Sequence, residues 1–217
     1  PESDVDVTDA PVPLTQKAIF GYGHDGSNLS MSNLVSSSGV VATDTTGVGT
    51  ARHIIAAAGY GLDKAIFGYG NNGPNVSMTN LVSNSGVVAT DTTGVGTARN
   101  ALAATGYGTD KAIFGYGTTG SVVSLTNLVS SSGVVATDTT GVGTVRKYLA
   151  ATGYGGDKAI FGYGVNETGT YYSISNLVSN SGVVATDTTG VGTARSALAA
   201  ASYGGDKAIF GYGLTGS

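Results

Sequence analysis

The heptad Lys64-Ala65-Ile66-Phe67-Gly68-Tyr69-Gly70 decides the fold, because KAIFGYG recurs unchanged at 17–23, 111–117, 158–164 and 207–213. Successive copies begin 47, 47, 47 and 49 residues apart. Self-similarity at this period marks an array in which each repeat builds the same supersecondary unit. Each interval between copies carries the same further blocks. NLVS stands at 33–36, 80–83, 127–130 and 176–179, and GVVATDTTGVGT at 39–50, 86–97, 133–144 and 182–193. An arginine follows at 52, 99, 146 and 195, and then a small-residue segment that ends in Tyr-Gly.

Three of these blocks predict strands. KAIFGYG is a short apolar run closed by glycine, VSMTNLVS (76–83) is rich in β-formers, and GVVATDT follows a Ser-Gly turn signal and is β-branched up to its Asp. The Arg-led block reads two ways. TARNALAATGYG (97–108) has a Thr N-cap, an Ala/Leu interior and a Gly C-cap, which favours a helix. Its small side chains also suit an innermost strand where neighbouring units crowd, and the strand is the expectation here.

Four short strands in about 47 residues is the arithmetic of a propeller blade. In its order of blocks the sequence resembles the kelch repeat. KAIFGYG corresponds to the Gly-ended strand, and Arg52, Arg99, Arg146 and Arg195 fall at the kelch arginine, although the chain has no tryptophan. It is also similar to KAIFGYG-type tandem arrays of tailed bacteriophages and environmental sequences. These resemblances imply an all-β closed β-propeller of four kelch-like blades and a virion, tail-associated or extracellular setting. The blades run over about 52–97, 99–144 and 146–193, with a closing blade built from 195–213 plus 17–50. Residues 1–16 form an N-terminal arm and 17–217 the propeller. One KAIFGYG of the five is then surplus, and it is available for β-augmentation with a neighbouring molecule.

Composition narrows the function classes. The formal charge is -4, and the five lysines of the heptads are too far apart to form a basic run, which argues against a nucleic-acid partner. Zero cysteines exclude disulfides and thiol chemistry, and no apolar run approaches the roughly 18 residues of a transmembrane helix. Charged residues are 11% of the chain, so solubility falls to Ser, Thr, Asn and backbone.

The copies differ in two places. After KAIFGYG they read HDGSNLS (24–30), NNGPNVS (71–77), TTGSVVS (118–124) and VNETGTYYS (165–173). After the arginine they read HIIAAAG, NALAATG, KYLAATG and SALAAAS. In an up-and-down blade both sets lie at one end of the strands, where binding loops gather. The candidate ligand surface is therefore His24, Asp25, His53, Asn71, Asn72, Thr118, Thr119, Tyr148, Asn166, Glu167, Tyr171 and Tyr172. Tyr171 and Tyr172, beside a two-residue insertion, offer adjacent rings for stacking on a sugar or a protein.

No catalytic or metal constellation is predicted. TDTTGVGT lacks the Lys-Ser/Thr ending of a phosphate loop, and one carboxylate per turn falls short of a calcium cage. Its fourfold identity predicts a turn held by Asp and Thr, with the arginine pairing to an Asp such as Asp44 or Asp91. His24 and His53 stand in one repeat with no recurring second ligand or base. Sequons at Asn28, Asn75 and Asn166 occupy equivalent loops. No cofactor is implied. The expected function is a non-enzymatic binding module that recognises a surface glycan or protein. The alternative is an assembly protein that pairs with itself or a larger particle through the surplus strand.

Overall fold

The computed structural model describes residues 17–216, so the arm expected over 1–16 lies outside the described residues. The described chain is all β, with small antiparallel sheets that follow one another in sequence and no helix among the described residues. The Arg-led block is a strand each time: Ala56–Tyr60 (β3), Ala103–Tyr107 (β6), Ala150–Tyr154 (β9) and Ala199–Tyr203 (β12). Its period of two is visible in β3, where Ala56, Ala58 and Tyr60 are buried and Ala57 and Gly59 are exposed. Helix propensity loses here because pairing to the next strand satisfies the backbone and buries alternate residues.

The heptads form Ala18–His24 (β1), Lys64–Gly68 (β4), Lys111–Gly115 (β7), Lys158–Gly162 (β10) and Lys207–Gly211 (β13). The NLVS blocks form Asn28–Val35 (β2), Thr79–Val82 (β5), Thr126–Val129 (β8) and Ser175–Val178 (β11). Each complete repeat is a meander, β3-β4-β5, β6-β7-β8 or β9-β10-β11, with Phe67 opposite Asn80 and Phe114 opposite Asn127. The GVVATDT block, expected as a fourth strand, meets its sheet only through isolated bridges such as Val82↔Val88 and Thr79↔Thr92. Its Asp leaves the ladder to bond the neighbouring repeat, as shown below.

Consecutive sheets pack face to face. Ala56, Ala58, Tyr60, Ile66 and Tyr69 of one repeat share a core with Ala112, Phe114 and Val129 of the next, and an equivalent core follows one repeat on. The heptad glycine makes this approach possible. A Cβ at Gly68 would stand 2.7 Å from Phe114 Cζ, so any larger residue drives into the neighbour's ring.

The ends of the array differ from its middle. β1-β2 and β12-β13 are separate two-stranded sheets, and among the described residues no pairing joins them. Phe20 is 62% exposed where Phe67 is 3%, and Tyr212 is 94% exposed where Tyr69 is 0%.

Candidate functional site

Two sets of residues compete for the role of a site, and the invariant set comes first. The heptad tyrosine takes a left-handed backbone (φ 62° at Tyr69, 65° at Tyr116), which turns its carbonyl towards the arginine of its own repeat. Arg52 is wholly buried. It donates from Nε to Tyr69 O (2.9 Å), from Nη1 to Thr50 O (3.1 Å) and from Nη2 to Asn80 Oδ1 (2.7 Å). Its guanidinium lies 4.3 Å from the centroid of Tyr22 in the preceding repeat, and Arg99 and Arg146 repeat the arrangement on Tyr69 and Tyr116.

Asp91 links the same two repeats. It accepts from the backbone N–H of Thr50 (3.0 Å), the Thr50 hydroxyl (2.7 Å) and Asn80 Nδ2 (2.9 Å), with Arg52 Nη1 at 3.8 Å. Burial pushes this carboxyl up, but the bonds from Thr50 and Asn80 outweigh it and hold it below the ordinary range. Burial likewise pushes the phenols of Tyr69 and Tyr116 up to about 12 and lowers the guanidinium pKa of Arg99. The expected Arg–Asp pairing is thus present in the complete repeats, at Arg52–Asp91, Arg99–Asp138 and Arg146–Asp187. Each Asp holds the Thr of the previous repeat rather than its own turn. The asparagine of NLVS, central to this joint, went unread in the sequence; its signal was a polar residue recurring four times in an apolar strand.

The variable set lies elsewhere. His53 bridges Asn71, Asn100 bridges Thr118, and Lys147 bridges Val165, so the residues after each arginine sit beside the loop after each heptad. Contacts then run from repeat to repeat. His24 and His53 rings lie 5.1 Å apart, and His53 Nδ1 is 2.7 Å from Asn28 Oδ1. Asn100 donates to Asn75 (2.8 Å), Asn75 to the Thr118 carbonyl (3.2 Å), and the Val122 N–H to Glu167 (3.1 Å). Lys147 pairs with Glu167 at 3.2 Å. The structure therefore brings the variable residues of four repeats into one strip.

Within the strip the side chains are not equally available. Asp25 and Thr119 are exposed and hold their own loops, accepting from the Ser27 N–H and donating to the Ser121 carbonyl respectively. Asn71 accepts from the Gly73 N–H, Thr118 from the Gly120 N–H, and Asn72 Oδ1 is buried with no partner among the described residues. Tyr171 and Tyr172, singled out in the sequence, are half-buried, and the Tyr172 hydroxyl accepts from Asn166 Nδ2 at 3.2 Å. Tyr148 is more open, at 40% exposure. Its backbone is part of a rail that the sequence did not suggest. Ala101 donates to Ile54 O, Tyr148 to Ala101 O and Ala197 to Tyr148 O, and these four residues have φ from 50° to 54°. Two of the three sequon amides, Asn75 and Asn166, are occupied as donors inside the strip.

Chemically the strip offers amides, hydroxyls, two imidazoles and an exposed phenol. The fold and this arrangement define a tandem-repeat β protein, in which stacked meander sheets joined by an invariant Arg–Asn–Asp–Tyr network carry a variable edge. No protein-family model matches the chain, and no curated protein matches its sequence.

Proposed function

We propose that this chain is a non-enzymatic binding module whose variable edge recognises a surface glycan or protein, in a virion-associated, tail-associated or extracellular setting. One observation carries the reading: residues that differ between repeats form one strip of cross-repeat contacts on a scaffold that does not vary. Recognition by a strip of several similar loops is multivalent, and weak single contacts then sum. The finer architecture in this reading is the closed propeller of four kelch-like blades. It draws support from the inner strands, since residues of β3, β6, β9 and β12 line a common groove of about 510 Å3.

The test is a glycan array together with adsorption to intact cells, comparing the chain with Tyr148→Ala. Binding is expected for the parent and lost for the variant at unchanged fold. Absence of binding by the parent on both surfaces would overturn the reading.

A second reading, an assembly protein, has its own observation. The apolar faces at the two ends of the array, Phe20 and Val41 at one and Tyr203, Ile209 and Tyr212 at the other, are exposed where their internal equivalents pack against a neighbour.

A further inference from the structure

The groups left unpartnered at the two ends belong to a single repeat. Arg195 is the arginine whose repeat stops after β13. Among the described residues its Nε is buried without the tyrosine-carbonyl partner that Arg52 has in Tyr69 O, and its side chain bonds only Thr193 O and Phe210 O, both at 3.4 Å. Arg52, Arg99 and Arg146 instead donate from Nη2 to an asparagine at 2.7, 2.6 and 2.6 Å. The first repeat has the opposite defect. Asn33 donates to Asp44 (2.7 Å) as its equivalents do, yet among the described residues no guanidinium meets its oxygen. Among the described residues Asp44 holds no threonine, whereas Asp91, Asp138 and Asp187 each hold one, and Thr193, the next threonine in the series, meets no aspartate.

We infer that the C-terminal half-repeat, Thr193 to Gly213, completes itself on β2 of a second copy of the chain, with β13 taking the place there of β1. This deepens the assembly reading, rests on it, and replaces the closed ring of the binding reading. The exchange keeps the strand pairing, because 17–23 and 207–213 are the same heptad. In the register that β1 now holds, Ala208 faces Val35, Ile209 faces Leu34, Phe210 faces Asn33 and Gly211 faces Ser32. Four further contacts come with it. Arg195 gains Asn33, Thr193 gains Asp44, and Tyr212 moves beneath Arg52 and Phe67, the place where Tyr22 lies now. Gly211, which has nothing within 4 Å, receives the Phe67 ring that now stacks on Gly21.

β12 also finds a seat. β1 pairs on one side only, with β2, whereas β4, β7 and β10 have an inner strand on the other side. A cavity of about 530 Å3 lies between this sheet and the next, lined by Ala18, Ile19 and Leu34 on one side and by Ala57, Ala58 and Gly59 on the other. A second copy is the occupant because the two halves stand at opposite ends of the array, in sheets that share no pairing among the described residues. The contact joins unlike surfaces, so each added copy leaves the same two surfaces at the ends of the assembly.

The chain has no cysteine, which makes the test clean. Full-length Thr193→Cys and Asp44→Cys variants are mixed and oxidised, with Thr50→Cys/Asp91→Cys in one chain as the control that must close. A cross-linked dimer is expected from the mixture and from neither variant alone. Closure of the control without a dimer overturns the inference. So does a Thr193→Cys/Asp44→Cys chain that links only within itself as a monomer, which would place the completion in a closed ring instead. In a second measurement residues 17–23 are deleted and the mass is followed by light scattering. Removing the competing strand should shift the protein from monomer towards multimers at lower concentration, and a loss of association would refute the exchange. The variable edge is untouched in the cysteine variants, so their glycan or cell binding reports separately on the binding reading.

Discussion

Replacing Arg99 with alanine should cost far more than the same change at Arg195, although the two arginines occupy identical places in the sequence. Arg99 is wholly buried, and its removal strips a donor from Tyr116 O, Thr97 O and Asn127 Oδ1 at 2.9, 3.1 and 2.6 Å. Each hydrogen bond to a charged group is worth about 1.5–3 kcal/mol, and a buried acceptor left unpaired adds a desolvation penalty. The guanidinium also sits 4.4 Å from the Tyr69 ring, worth about 1–2 kcal/mol once desolvated. Against these losses, alanine has no charge to desolvate, so the net cost is about 3–5 kcal/mol. Among the described residues the Arg195 side chain makes only two hydrogen bonds, both at 3.4 Å, and it keeps the ring of Tyr163 at 4.3 Å, so its loss should cost about 1 kcal/mol.

Repeat arrays unravel unit by unit, so a single melting curve would blur the comparison. Hydrogen exchange read by mass spectrometry, at a concentration where the protein is monomeric, resolves it. Arg99→Ala should deprotect β6, β7 and their neighbours, while Arg195→Ala alters only β12 and β13. Equal effects of the two substitutions would refute the view that the buried network, rather than the presence of an arginine, holds consecutive sheets together.

Three further outcomes follow from the same geometry. Gly68→Ala places a methyl group 2.7 Å from the Phe114 ring and should destabilise by about 1–3 kcal/mol, whereas Gly211→Ala, with nothing within 4 Å, should leave the thermal midpoint unchanged. Leu62 and Thr109 hold φ of 73° and 71° at a turn where the later repeats carry Gly156 and Gly205, so Leu62→Gly should stabilise by about 1 kcal/mol in urea unfolding. The phenols of Tyr69 and Tyr116 are pushed up to about 12 by burial, which favours the neutral form in the folded state. Their contribution to stability is therefore complete below the ordinary tyrosine value and lost as pH rises through about 12. An ultraviolet titration should show a late step that disappears in Tyr69→Phe/Tyr116→Phe.

Much of this organisation was legible in the sequence, and what was not has definite causes. Strict recurrence of KAIFGYG and NLVS gave the antiparallel pairs their identity, because invariant blocks at a fixed period must build the same unit. The Ala-rich segment misleads locally, since TARNALAATG scores as a helix until the neighbouring heptad pairs with its backbone. The left-handed tyrosines are harder still. A tyrosine at φ near 65° is disfavoured by its own side chain, yet all five heptad tyrosines adopt φ of 62–65°, including the exposed Tyr212. The conformation therefore belongs to the heptad turn, and the internal copies add the Arg–carbonyl bond and the stacked ring of the next repeat. The clustering of variable residues was readable because antiparallel strands return alternate loops to the same end. Their exposure was not, as the half-buried Tyr171 and Tyr172 show.

The two-residue insertion in VNETGTYYS locates the boundary between scaffold and edge. Asn71 bridges Asn75 and Thr118 bridges Val122, four residues on, whereas Val165 bridges Tyr171, six residues on. The extra length is absorbed between the bridged residues, and Asn166 binds it internally through Thr168, Thr170 and Tyr172. On the far side of that bridge nothing moves: Phe161 still faces Asn176, and Arg146 still reaches Asn176 Oδ1 at 2.6 Å. The bridge therefore uncouples the two regions. Change in length or identity within the loop that the bridge closes leaves the Arg–Asn–Asp–Tyr joint intact, while change in the scaffold behind the bridge must be matched by a partner in the next repeat. An edge insulated in this way can acquire a new recognition surface at little cost in stability, and that is the physical reason for looking for the ligand there.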